Sequence, residues 1–98
     1  MNQDKTKKIK ARVNRIAGQI GGVGKMIDED RYCIEILDQI SAVRSALDAL
    51  GVELITHHIE HCVVGHGQLA SGEHPQARAQ TPEELLDEVR ITLQRFLK

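Results

Sequence analysis

The chain has 98 residues, 41% of them hydrophobic but only 2% aromatic, with one Tyr, one Phe and no Trp. That length suits one domain (1–98) and leaves no room for two cores, and the scarcity of aromatics argues against a small β-sandwich or barrel. The formal net charge of −1 averages two unlike segments: residues 1–27 hold seven basic side chains against Asp4, a balance of +6, whereas residues 28–98 hold six basic and thirteen acidic ones, a balance of −7.

A basic first segment points to an anionic partner or, more plainly, to a solvated helix face. No apolar run approaches the roughly 20 residues that span a bilayer. No apolar stretch follows the N-terminal charges as it would in a secretory signal. The expectation is a cytoplasmic protein with no membrane partner. In that compartment Cys33 and Cys62 read as thiols or metal ligands rather than a structural disulfide.

Residues 5–29 predict one helix. Ile9, Val13, Ile16, Ile20, Val23 and Ile27 recur at steps of three and four, which is one apolar stripe. Lys8, Arg12 and Arg15 follow a neighbouring face, and Lys10 is offset from the stripe. Gly18, Gly21, Gly22 and Gly24 each cost about 1 kcal/mol inside a helix, so their density predicts close helix packing or a bend. A break at 28–31 precedes a second helix over 32–64. Its apolar residues Ile36, Leu37, Ile40, Val43, Leu47, Leu50, Leu54 and Ile55 keep the same steps. About 30 residues at 1.5 Å each give a rod of about 45 Å. One shorter helix cannot cover that stripe, so a second copy of the chain is the expected cover. Residues 65–80 read as a loop rich in Gly, Ser, His and Pro. Thr81-Pro82-Glu83-Glu84 is a helix start with Thr as N-cap, Pro at the first position and Glu at the third. The last helix runs to about residue 97, with Leu85, Leu86, Val89, Leu93 and Phe96 inward.

The chemistry concentrates in His57-His58-Ile59-Glu60-His61-Cys62. His58 and Cys62 are four apart and project from one helix face. Imidazole and thiolate make a soft two-ligand claw; alone, the pair also reads as a satisfied polar residue beside a buried small thiol. Cys33 lies 25 residues before His58, about 37 Å along one helix. The two cannot share a ligand within one unbroken chain. They can if two copies pair antiparallel, and twofold symmetry then repeats the site. Two thiolates and one imidazole are a soft, low-coordinate set that favours Cu(I); tetrahedral Zn(II) would need a fourth ligand. His61 is a possible extra ligand for Ni(II) or Zn(II), or a solvated surface histidine; His57 and His66 have no assigned part.

The stretch Arg12-Val-Asn-Arg15-Ile-Ala-Gly18-Gln19-Ile20, the triplet Arg31-Tyr32-Cys33 and the segment Gln39-Ile-Ser-Ala-Val-Arg44-Ser-Ala-Leu47, together with His58 and Cys62, resemble the CsoR/RcnR/FrmR family of small all-α bacterial transcriptional repressors. The resemblance covers nearly the whole chain. It implies a three-helix protomer with a long central helix, an antiparallel homodimer with a four-helix-bundle-like core, and a dimer of dimers, the homotetramer. The Cys33, His58, Cys62 pattern is similar to that of the Cu(I) sensors. Nickel branches often place His at the last position or add an N-terminal His, and formaldehyde sensors carry Glu where Cys62 stands. A Ni(II)-responsive repressor and a formaldehyde- or thiol-reactive sensor are the alternatives within the family. Outside it stands a metal-buffering protein that binds no DNA.

By the same resemblance Tyr32 and either Glu83 or Glu84 orient the ligand histidine. Arg12, Arg15 and Gln19 on the first helix, with Arg44 on the second, face operator double-stranded DNA without a helix-turn-helix. Phosphate contact by Lys5, Lys7, Lys8 and Lys10 is an electrostatic inference. Gly21 stands where many relatives carry a basic residue, and Ala17 where many carry Glu. The implied activity is repression by the apo form, with Cu(I) binding releasing DNA and derepressing metal-efflux genes. An enzyme is disfavoured, since no oxyanion-stabilising Gly-rich turn or carboxylate dyad is present.

Overall fold

The computed structural model describes residues 3–68 and 72–97, and among them every regular element is helical. The all-α class is as expected, with two additions that periodicity did not reveal. Residues 69–71 of the expected loop lie outside the described residues.

Helix α1 spans Gln3–Asp28 and passes unbroken through Gly18, Gly21, Gly22 and Gly24. A Cβ built at any of these four glycines would meet nothing within 4 Å. Among the described residues the close packing expected there is therefore not made, and the helix is continuous through all four. The helix ends in a Schellman turn: Arg31 N–H donates to the Met26 carbonyl at 3.0 Å and Asp30 N–H to that of Ile27 at 3.1 Å. This closure places Asp30 in the left-handed region, at φ +55°, a conformation that Asp tolerates better than most residues.

Helix α2 spans Cys33–His58, and Ile59–Val64 continues it as a π-helical segment. The single helix expected over 32–64 is thus α in its first part and π in its last turn. The hydrogen-bond partner moves from i−4 to i−5 and the turn widens, but over six residues this is too short a stretch for apolar spacing to register. The expected loop contains a one-turn helix, α3, at Pro75–Arg78, N-capped by His74. Helix α4, Pro82–Phe96, begins as read: Thr81 caps it, Pro82 occupies the first turn, and Glu84 completes a capping box.

The chain divides into two compact units, Asn2–Glu53 and Leu54–Lys98. In the first, α1 runs antiparallel to α2, because Lys5 and Arg12 near its start both reach Glu53 far along α2. Of the two stripes only Ile9, Ile16 and Val43 are buried. Val13, Ile20, Ile27, Leu37, Ile40 and Leu47 are exposed, with Ile27 at 60% and Leu37 at 57%. In the second unit Cys62, Ala77 and Leu85 form a core, with Val63 packed against it. Leu85 is fully buried, which stabilises by about 1.5–3 kcal/mol relative to leaving it in water. Leu86 and Phe96, expected inward, are exposed, whereas Leu85 on the same helix is buried. Among the described residues no helix is long and apolar enough to cross a membrane.

Candidate metal centre and nucleic-acid face

His58 is the last residue of α2 and Cys62 lies within the π-helical segment. Single-turn π segments inside helices recur at functional sites. Cys62 is 4% exposed and sits in the core under α3 and α4. Its Sγ accepts a hydrogen bond from the His74 backbone N–H at 3.4 Å. The same His74 caps α3, its Nδ1 accepting from Gln76 N–H at 3.1 Å. A neutral His74 ring therefore carries its proton on Nε2.

His58 is half-buried and opens onto a cavity of about 330 Å³ lined also by His74, Gln76, Ala77, Gln80 and Glu88. Glu88 is the carboxylate of α4 on this cavity, and Gln80 Nε2 donates to its Oε2 at 3.4 Å. Glu83 and Glu84 are not among the lining residues. Glu83 is exposed. Glu84 is engaged in the cap, accepting from Thr81 N–H at 3.0 Å while its own N–H donates to Thr81 Oγ1 at 3.2 Å. These bonds, the Thr81 backbone N–H foremost, hold its carboxyl below the ordinary value of 4.5.

Cys33 is exposed at the first residue of α2, beside Tyr32, which is 69% exposed. Among the described residues no three of His, Cys, Asp and Glu stand together as a metal-holding group. His58 and Cys62 stand within one helical turn of each other, and among the described residues no third such side chain completes a group with them. His61 stacks on His57, ring centroids 4.3 Å apart with planes at 36°, and its Nε2 lies 3.8 Å from Glu60 Oε2.

The chain after Cys62 is fastened by a residue that sequence reading passed over. Glu73 has a side chain closed off from solvent and pairs with His66 Nδ1 and with Arg78 Nε at 3.5 Å. Gly67 N–H also donates to it, at 3.4 Å. Burial alone would push its carboxyl upward, but the His66, Gly67 and Arg78 interactions together outweigh burial and hold it below the ordinary value. No motif marks Glu73; only its being a lone acid in a loop otherwise rich in Gly, Ser and His could have singled it out.

On α1, Lys8, Lys10, Arg12 and Arg15 are exposed, as is Arg44 on α2. Gln19 is half-buried, and its Oε1 is shielded with no hydrogen-bond partner. Lys5 Nζ and Arg12 Nε lie 3.4 Å and 3.0 Å from the Glu53 carboxylate. Glu53 was also missed, because its partners lie more than forty positions earlier in the chain and only the antiparallel pairing of α1 with α2 joins them.

The sequence and the fold have counterparts among known proteins. The chain is 50% identical over 52 residues to the copper-sensing transcriptional repressor RicR of Mycobacterium tuberculosis, a match covering 53% of this chain and 54% of that protein. The aligned stretch thus spans about half the length of that relative. The crystal structure of the copper-sensing repressor CsoR with Cu(I) from Geobacillus thermodenitrificans superposes with a TM-score of 0.82 at 35% identity, covering 100% of this chain and 92% of that one. The nickel-responsive transcriptional regulator InrS superposes at 0.70 with 33% identity, covering 98% and 97%. These are transcriptional regulators rather than enzymes. Residues 5–95 match the family described as metal-sensitive transcriptional repressor, and the chain belongs to that family.

Proposed function

We propose that this protein is a cytoplasmic metal-sensing transcriptional repressor whose metal-free form binds operator DNA and whose signal is Cu(I). The observation that carries the metal reading is the His58–Cys62 pair: two soft donors one helical turn apart, the thiol fixed inside a core. Among the described residues no third donor completes a group with them, while Cys33 stands exposed at the first residue of α2. In the proposed antiparallel homodimer, Cys33 of one protomer completes the set with the partner subunit's His58 and Cys62. Two thiolates and an imidazole suit a soft monovalent cation. The exposed stripe of α1 and α2 is the surface that the pairing covers, and two such dimers form the tetramer. Tyr32 at the entry to α2, with an acid of α4, orients the His58 ring. Glu88 joins Glu83 and Glu84 as a candidate for that acid because it lines the His58 cavity.

Lys8, Lys10, Arg12, Arg15, Gln19 and Arg44 form the DNA face, where basic side chains replace counterions on the phosphates. Release follows if Cu(I) binds the DNA-free arrangement more tightly than the DNA-bound one; tenfold weaker DNA binding requires about 1.4 kcal/mol of coupling. The genes released from repression would serve metal efflux.

An anaerobic Cu(I) titration in the presence of a duplex from upstream of the protein's own gene tests this. The expected result is loss of DNA binding at full metal occupancy, abolished in Cys62→Ala. Unchanged DNA affinity with metal fully bound overturns it. Ni(II) is the second reading, favoured by the likeness to InrS, with His61 as the extra ligand. Competitive Cu(I) and Ni(II) titrations read by absorption separate the two.

A further inference from the structure

We infer that Glu53 is an internal competitor for DNA phosphate, holding Lys5 and Arg12 of the basic helix in reserve and thereby setting the affinity of the DNA face. The inference rests on the proposed repressor reading, in which α1 meets DNA.

One carboxylate serves two cations. Glu53 Oε1 lies 3.4 Å from Lys5 Nζ, and Oε2 lies 3.0 Å from Arg12 Nε. Lys5 and Arg12 are seven residues apart, two turns of the same helix face. Lys8 and Arg15 project from the strip beside them, and neither has an ion pair among the described residues. The basic face thus divides into a free row and a row already occupied by an anion.

The occupancy is of a kind that exchanges readily. Glu53 Oε2 is shielded from solvent yet receives no hydrogen bond with acceptable geometry, even from Arg12. That one oxygen has lost water without gaining a directional bond in return, a poor trade for an anion, while the Glu53 side chain as a whole keeps 20% of its surface in water. Arg12 remains substantially exposed, at 42% of its side chain, so its guanidinium stays open to a second anion. A phosphate arriving there meets an attractive guanidinium and, behind it, a repelling carboxylate. Like charges set opposite each other across an interface oppose binding. Removing the Glu53 charge removes that opposition and returns Lys5 and Arg12 to the phosphates.

The test compares wild type, Glu53→Gln, Arg12→Ala and the double variant as metal-free full-length protein. Each is titrated with one duplex from the upstream region of its own gene across a salt series. Glu53→Gln is expected to bind on the order of five- to tenfold tighter, with a salt dependence steeper by about one phosphate contact. In the Arg12→Ala background most of that gain should vanish. Helix content by circular dichroism confirms that each variant is folded, and Glu53→Ala repeats the charge removal without the amide. Equal or weaker binding by folded Glu53→Gln and Glu53→Ala overturns the inference and leaves the repressor reading intact. Wild type that binds no duplex removes both.

Discussion

In Asn2–Glu53 the apolar stripes of two long helices bury only Ile9, Ile16 and Val43, whereas in Leu54–Lys98 shorter elements close over Cys62, Ala77 and Leu85. The first unit has the longer helices and the more regular periodicity, yet it leaves Ile27 and Leu37 more than half exposed. The second has an irregular sequence and still builds a core of its own. The contrast follows from geometry. Two straight antiparallel helices share one line of contact, and residues on either side of it stay in water. A helix whose last turn widens into π geometry, followed by a capped turn and a returning helix, surrounds a point instead. Cys62 is at that point and Cys33 is on the open surface, so the two thiols of the proposed metal set start from opposite environments.

Three measurements bear on this contrast. Leu85→Ala should cost about 3 kcal/mol, since a fully buried leucine is replaced by a cavity. Urea unfolding reads the loss, and Cys62 should become reactive to a thiol reagent in the same variant. A loss below about 1 kcal/mol, with Cys62 still protected, would mean that the second unit has no core of its own.

The next effect is on pH dependence. Glu73 titrates below the ordinary value of 4.5 in the folded protein, its burial outweighed by His66, Gly67 and Arg78. A carboxyl depressed by folding contributes stability that is present above its unfolded value and lost as pH falls through the folded one. Between pH 7 and pH 3 the urea midpoint of wild type should therefore fall further than that of Glu73→Gln. Parallel curves would show that the loop is not held by this carboxylate.

The smallest expected effect is at Thr81→Ala, about 1 kcal/mol from loss of the α4 cap. Urea unfolding reads the loss, with helix content by circular dichroism confirming that α4 still forms. An unchanged urea midpoint would show that the capping box does not stabilise α4.

Much of the molecule was legible before any coordinates. Steps of three and four placed α1, α2 and α4 to within a few residues, because burying a face of a helix demands that period. Thr81, Pro82 and Glu84 announced the start of α4, because the first N–H groups of a helix need acceptors close in sequence. The His58–Cys62 spacing placed the two residues one helical turn apart. The π-helical segment, α3 and the Glu73 cluster were not legible. An α turn and a π turn both satisfy the backbone, so a six-residue stretch of sequence does not distinguish them. Glu73 and Glu53 act through partners brought near by the fold, and no local pattern encodes a carboxylate's distant cation.

What the sequence by itself determined is therefore the three long helices, the cap of α4 and the one-turn spacing of His58 and Cys62, all of which depend on neighbours within about one helical turn. The burial of one thiol but not the other, the occupation of Arg12 and Lys5 by Glu53, and the acid that lines the His58 cavity were decided only by tertiary structure. Each depends on which helix faces lie together, and that is a property of packing between segments far apart in the chain.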